Sequence, residues 1–141
     1  ERKLSEIMIA RQDIVILEKQ QSLEEMLAVI DEHEYTRYPI KDQTRTEKTI
    51  VGFINTKEML TDIAAGRTNP IETFIHHIPR YKETMSIKEV FLKMQQTSTH
   101  MALVTNASGT TIGLVTMEDI LSEIVGEIED DDDGEHIAFA T

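Results

Sequence analysis

The chain has 141 residues, enough for one compact unit or two small halves sharing a core. A hydrophobic fraction of 40% is too high for wholesale disorder, and with no cysteine there is no disulfide framework, zinc ribbon or thiolate nucleophile. Fourteen basic against 26 acidic residues give a net charge of −12, which speaks against nucleic acid as a partner, because affinity there comes from Lys and Arg on phosphates.

In chain order, Glu1–Leu4 lacks the apolar core of a signal peptide, and no later run approaches the roughly 18 apolar residues of a membrane span. Asp13–Leu17 reads as a strand. A helix opens at Ser22 with the capping box Ser-x-x-Glu and carries Leu23, Met26, Leu27 and Ile30 on one face. Tyr38–Ile40 is a short strand, Lys41–Thr49 a polar loop and Ile50–Ile54 a second strand, followed by a helix from Thr56. After a joint around Gly66–Pro70 the order recurs. Pro79–Lys82 is a weaker strand, Ser86 opens a helix with Ile87, Val90, Phe91 and Met94 on its face, Ala102–Val104 and Ile112–Val115 are strands, and a helix begins at Met117.

The recurrence is a duplication. At one constant spacing Ser22 matches Ser86, Glu25 matches Glu89, and the four apolar positions of each helix correspond; further on Gly52 matches Gly113, Ile54 matches Val115 and Leu60 matches Leu121. The predicted fold is α+β: two strand–helix–strand–strand–helix repeats related by a pseudo-twofold, their small sheets packed together and helices outside. Repeat 1 with the N-terminal segment covers 1–68, repeat 2 covers 69–130, and 131–141 is an acidic tail. Glu127, Glu129, Asp130, Asp131, Asp132, Asp133 and Glu135 supply seven of the carboxylates, so the rest of the chain carries only −5 and has room for a local basic spot.

No nucleophile elbow, zinc-protease helix, P-loop or dinucleotide fingerprint is present, and no enzymatic activity is expected. His76 and His77 are sequence neighbours that would diverge from a helix, a poor spacing for metal ligands. The run from Glu129 through Asp131 and Asp133 to Gly134 echoes a calcium loop, but Ala140 stands where that loop needs a bidentate Glu, so a solvated or partner-facing acidic run is expected and no metal site is assigned. Two readings are open for Gly113–Asp119, where a strand ending in Thr turns into a helix. Thr116 and Asp119 cap that helix, or its free amides meet a phosphate while Asp119 takes the hydroxyls of a ribose. Arg37, beside Pro39 at the start of a strand, either pairs with a surface carboxylate or serves as a forked phosphate donor.

The chain resembles the tandem cystathionine β-synthase (CBS) domains of the Bateman module, and within them is similar to the CBS pair of the CorC/HlyC and CNNM magnesium-transport proteins. The motifs carrying the resemblance are Ile7–Val15, Thr36–Ile40, His100–Val104 and the long run Gly113–Asp130. It implies a cytosolic regulatory module that binds AMP or ATP, the latter with Mg²⁺, between the repeats and controls an attached membrane ion-transport domain. Asp119 would hold the ribose, Thr116 would lie by the phosphates, and Arg37 with Thr36 would reach them. Ile9, Ala10, Ile14 and Val15 would wall the adenine. A second site would use Asn55 and Glu58 against His100, and its departures from Thr-x-x-Asp imply weak binding or none. Ile9-Ala10-Arg11 stands where members often have Thr-Pro-Arg, and Asn106–Gly109 replaces an acidic, glycine-rich loop. Homodimerisation through the helices Thr56–Ala65 and Met117–Ile128 is also implied, with neither nucleic acid nor direct membrane insertion of this segment. The alternative is a nucleotide-independent homodimerising scaffold.

Overall fold

Seven short strands and four helices form in the computed structural model, which describes the backbone of residues 1–139 and the side chains of residues 1–130. In chain order they are β1 (Ile9–Ala10), β2 (Leu17–Glu18), α1 (Leu23–His33), β3 (Arg37–Lys41), β4 (Ile50–Asn55), α2 (Thr56–Ala64), β5 (Arg80–Lys82), α3 (Ile87–Gln96), β6 (Met101–Thr105), β7 (Thr111–Thr116) and α4 (Met117–Phe139). Short 3₁₀ turns occupy Leu4–Glu6, Arg11–Asp13 and Ile71–Phe74. The expected α+β class holds, and both β-α-β-β-α repeats are present.

The chain divides into two compact units, Val15–Ile78 and a second made of Glu1–Ile14 with Pro79–Thr141. In the first, β2 pairs parallel with β3, and β3 antiparallel with β4. Its core is Leu17, Met26, Tyr38, Ile40, Ile54, Met59 and Phe74, drawn from every element of the unit. In the second, the strand order is β1-β7-β6-β5, and Leu4, Ile87, Val90, Met94, Ala102, Val104, Val115 and Ile120 form the core. The alternation of the strands and the helical spacing of the apolar residues put these side chains on one face of each element.

Each first helix opens at its serine, the first with the full capping box and the second with only the hydroxyl half of it among the described residues. The Ser22 hydroxyl accepts from the Glu25 N–H at 3.1 Å while the Glu25 carboxylate accepts from the Ser22 N–H, and the Ser86 hydroxyl accepts from the Glu89 N–H at 3.2 Å.

A segment preceding each repeat's first strand lies along the edge of a last strand. Ile9 and Ala10 pair antiparallel with Leu114 and Gly113. His76 pairs antiparallel with Phe53, the Phe53 N–H donating to His76 O at 3.0 Å and the His76 N–H to Phe53 O at 2.8 Å. His76 thus stands in one unit where Ile9 stands in the other. The matched glycines make room for these segments. A Cβ on Gly52 would sit 2.3 Å from His76 O, and one on Gly113 would sit 2.5 Å from Met8 Sδ and 2.7 Å from Ile9 O.

Four sequence expectations differ from the structure. Asp13–Leu17 is not one strand: Arg11–Asp13 turns, with the Ile14 N–H donating to Arg11 O, and pairing with β3 begins only at Leu17 opposite Ile40. His76 and His77 lie on no helix, since His76 is held extended by its bridge to Phe53. Leu23 is 48% exposed although its counterpart Ile87 is buried, because Leu4 packs into the cluster that covers Ile87. The last helix runs past Ile128 to Phe139. The expectations for the tail, including Ile137 and Phe139 folding onto the body, lie outside the described side chains.

Candidate functional site

In the unit containing β7, the buried run Gly113–Val115 ends at half-buried Thr116, which leads directly into α4. The Thr116 hydroxyl accepts from the Asp119 N–H at 3.2 Å, so the capping reading of this motif is correct as far as it goes. The cap uses the Asp119 amide and leaves its carboxylate exposed, with no hydrogen-bond or ion-pair partner among the described residues. The Met117 N–H donates to His100 O at 2.9 Å, tying the helix start to the segment before β6. Beside this turn, Ile9 and Ala10 lie half-buried on the edge of β7, opposite Leu114 and Gly113. Ile14, also half-buried, follows the 3₁₀ turn after them.

The other unit holds Val15, Thr36 and Arg37. Val15 packs half-buried against the Leu17–Phe74 core. Thr36 is exposed, and its carbonyl accepts from both the N–H (2.8 Å) and the hydroxyl (3.1 Å) of Thr56, fixing the start of β3 to the start of α2. Arg37 opens β3 opposite Asn55, the last residue of β4. Its Nε is buried and lacks a hydrogen-bond partner, the only such side-chain atom among the described residues. The ion pairs among those residues do not include Arg37, so the surface-carboxylate reading of this side chain does not hold. A desolvated guanidinium N–H with no acceptor costs about 1–3 kcal/mol or more, and an anion is the partner that its planar fork fits best.

At the start of α2 the pattern is changed. Asn55 replaces the threonine, and its Oδ1 accepts from the Lys57 N–H at 2.9 Å. Glu58, in the position matching Asp119, is bonded to His76, with Nε2 and Oε1 2.7 Å apart. The imidazole also stacks on Phe53, ring centroids 5.2 Å apart. Sequence reasoning matched Glu58 with His100 and did not find His76. The available signal was Gly52, whose missing side chain marks a backbone approaching β4. Among the described residues no cluster of His, Asp and Glu has metal-site geometry, and no helix is long and apolar enough to cross a membrane.

The sequence model described as "CBS domain" matches residues 74–126. The UPF0053 protein YhdP of Bacillus subtilis (strain 168) is 39% identical over 141 residues, covering 98% of this chain and 31% of YhdP, so the chain spans about a third of that relative. Among solved structures, the CBS domain of a putative transporter from Clostridium difficile 630 is 31% identical, with a TM-score of 0.82 over 90% of this chain and 96% of the other. The CBS domain of a bacterial CNNM/CorC family Mg²⁺ transporter in complex with ATP is 33% identical, with a TM-score of 0.75 over 88% and 87%.

Proposed function

The chain belongs to the CBS-domain family, and from that premise we propose that it is a non-catalytic regulatory module, binding an adenosine nucleotide and controlling an attached Mg²⁺ transport domain on the cytoplasmic side of a membrane. The observation that carries this reading is the buried, unpartnered Nε of Arg37. Thr116 and Asp119 supply the complementary chemistry, a hydroxyl and a free carboxylate at the exposed start of α4. In this reading Asp119 accepts from the ribose hydroxyls, Thr116 lies by the phosphates, and Arg37 with Thr36 reaches them. Ile9, Ala10, Ile14 and Val15, all half-buried and apolar, wall the base. The ATP-bound relative supports the ligand class.

Charge separates the candidate nucleotides. One guanidinium offsets only part of the roughly four negative charges of ATP, so ATP binds with Mg²⁺ held on its phosphates, whereas AMP needs no cation. The module pairs with a second copy through α2 and α4. Leu60 on α2 is 42% exposed and the matching Leu121 on α4 is 41% exposed, and Val125 and Ile128, at helical spacing from Leu121, extend the apolar face of α4.

A thermal-shift titration with AMP, ADP and ATP, with and without Mg²⁺, tests the reading. Saturation at a hundred times Kd stabilises by about 2.7 kcal/mol, a rise of several degrees for a protein of this size. No shift with any of them removes the sensor and leaves the homodimerising scaffold, which the exposed apolar positions of α2 and α4 favour.

A further inference from the structure

The two units carry the same construction at the strand edge beside the second helix, with one exchange of chemistry. Ile9 lies opposite Leu114, and His76 lies opposite Phe53. From each of those strand residues the chain runs two residues to a helix cap, Thr116 or Asn55, and three more to a carboxylate, Asp119 or Glu58. His76 therefore stands to Glu58 as Ile9 stands to Asp119. Isoleucine has no hydrogen-bonding group, and the Asp119 carboxylate is left free. Histidine has one, and its Nε2 takes Glu58 Oε1 at 2.7 Å while the ring stacks on Phe53. The extra methylene of Glu58 over Asp119 gives the carboxylate additional reach towards the ring.

We infer that His76 is an internal ligand that closes a latent adenosine site at the start of α2, so that each chain takes up one nucleotide rather than two. The inference rests on the proposed role of Asp119 in binding ribose. With Oε1 held by the imidazole, the Glu58 carboxylate does not offer both oxygens to the two hydroxyls of a ribose, and the ring over Phe53 occupies the position that, in the other unit, is held by the aliphatic residue assigned to the base. Glu58 and His76 are each 45% exposed on their side chains, so the contact opens without creating a buried cavity. An exposed pair of this kind alone lowers ligand affinity by about fivefold at most, so the position of the ring and the substitution of Asn for Thr account for the rest of the closure.

The test is a site-resolved titration, following backbone amides by NMR and stoichiometry by calorimetry. The probes are AMP and, because Met101 matches Arg37 in the other repeat and offers no phosphate donor, adenosine. For the wild-type chain the expected result is one ligand per chain, with amide shifts at 116–119 and none at 55–58. H76I copies the first unit's residue, and N55T/E58D/H76I copies its whole motif; H76A keeps the backbone bridge should isoleucine not be tolerated. The expected result is new shifts at 55–58 in the single variants and two ligands per chain in the triple variant. Two ligands bound by the wild type, or a folded triple variant that still binds one with 55–58 unmoved, overturns the inference and leaves the Asp119 site standing. No shift anywhere with either probe removes the Asp119 site and this inference together.

Discussion

Replacing Gly52 by alanine tests the close approach of the 75–76 backbone to β4. The added Cβ would lie 2.3 Å from His76 O and 2.6 Å from Ile75 Cγ2, and the first of these is backbone that cannot rotate away. Either the 75–76 segment moves off β4 or the strand distorts. Forcing a methyl into a filled space costs about 1–3 kcal/mol. Stretching the two bridge hydrogen bonds, 3.0 and 2.8 Å, costs about 1 kcal/mol each if both are lost. Alanine recovers about 0.5–1 kcal/mol through the lower entropy of its unfolded chain. The net expectation is a loss of about 3 kcal/mol, or ~10 °C in Tm for a chain of this length. Gly126 sits inside α4, and a methyl added there would meet nothing within 4 Å, so it is the control. There alanine should gain about 0.5–1 kcal/mol. Urea denaturation followed by circular dichroism measures both. A G52A protein as stable as the wild type refutes the close-approach reasoning.

Three other outcomes follow from the geometry. In Gly113→Ala the new methyl meets Ile9 O at 2.7 Å, so beyond losing stability it should, on the proposed role of Ile9 and Ala10 at the base, weaken AMP binding by displacing them, as calorimetry would record. Asp62 is 5% exposed and accepts from the exposed Asn69 side-chain amide at 2.7 Å; Asp62→Ala removes that bond, which water replaces on Asn69, and should cost about 0.5–1.5 kcal/mol in a urea titration. The Asp42 carboxyl is lowered from 3.8 to about 2, chiefly by the Thr44 hydroxyl, then by the Thr44 N–H and the Gln20 amide. Because folding lowers this value, the stabilisation is complete above the ordinary carboxyl range and is lost as pH falls through about 2. The stability gap between wild type and D42N should therefore be constant from neutral pH to about pH 5 and close towards pH 2. A gap that widens on acidification would contradict the assignment.

The duplication was legible because physical constraints repeat with it. Ser22 and Ser86 are caps, the spacing of apolar residues on α1 and α3 follows one helical face, and Gly52 and Gly113 each admit a crossing backbone. Thr116, Asp119 and Arg37 were legible as chemistry in unusual places. The crossing partners were not. β1 is two residues long and exists because β7, a hundred residues away, offers an edge, so no local pattern announces it. The Ile14–Leu17 run has strong β propensity, yet only Leu17 and Glu18 pair with β3, and Ile14, Val15 and Ile16 pack half-buried outside the ladder. Likewise the Glu58–His76 bond joins a helix residue to one on an extended segment, and Gly52 marks that some backbone crosses β4 without saying which.

The central claim is that Arg37 and Asp119 act on one nucleotide, the first on phosphate and the second on ribose. Calorimetric titration of wild type, R37A, D119A and the double variant with AMP and with adenosine tests it most directly. The account predicts that R37A weakens AMP by about ten- to a hundredfold and leaves adenosine unchanged, the loss expected for a charge-assisted hydrogen bond. D119A should weaken both ligands. If R37A binds AMP as tightly as the wild type, or D119A binds both ligands normally, the account is wrong.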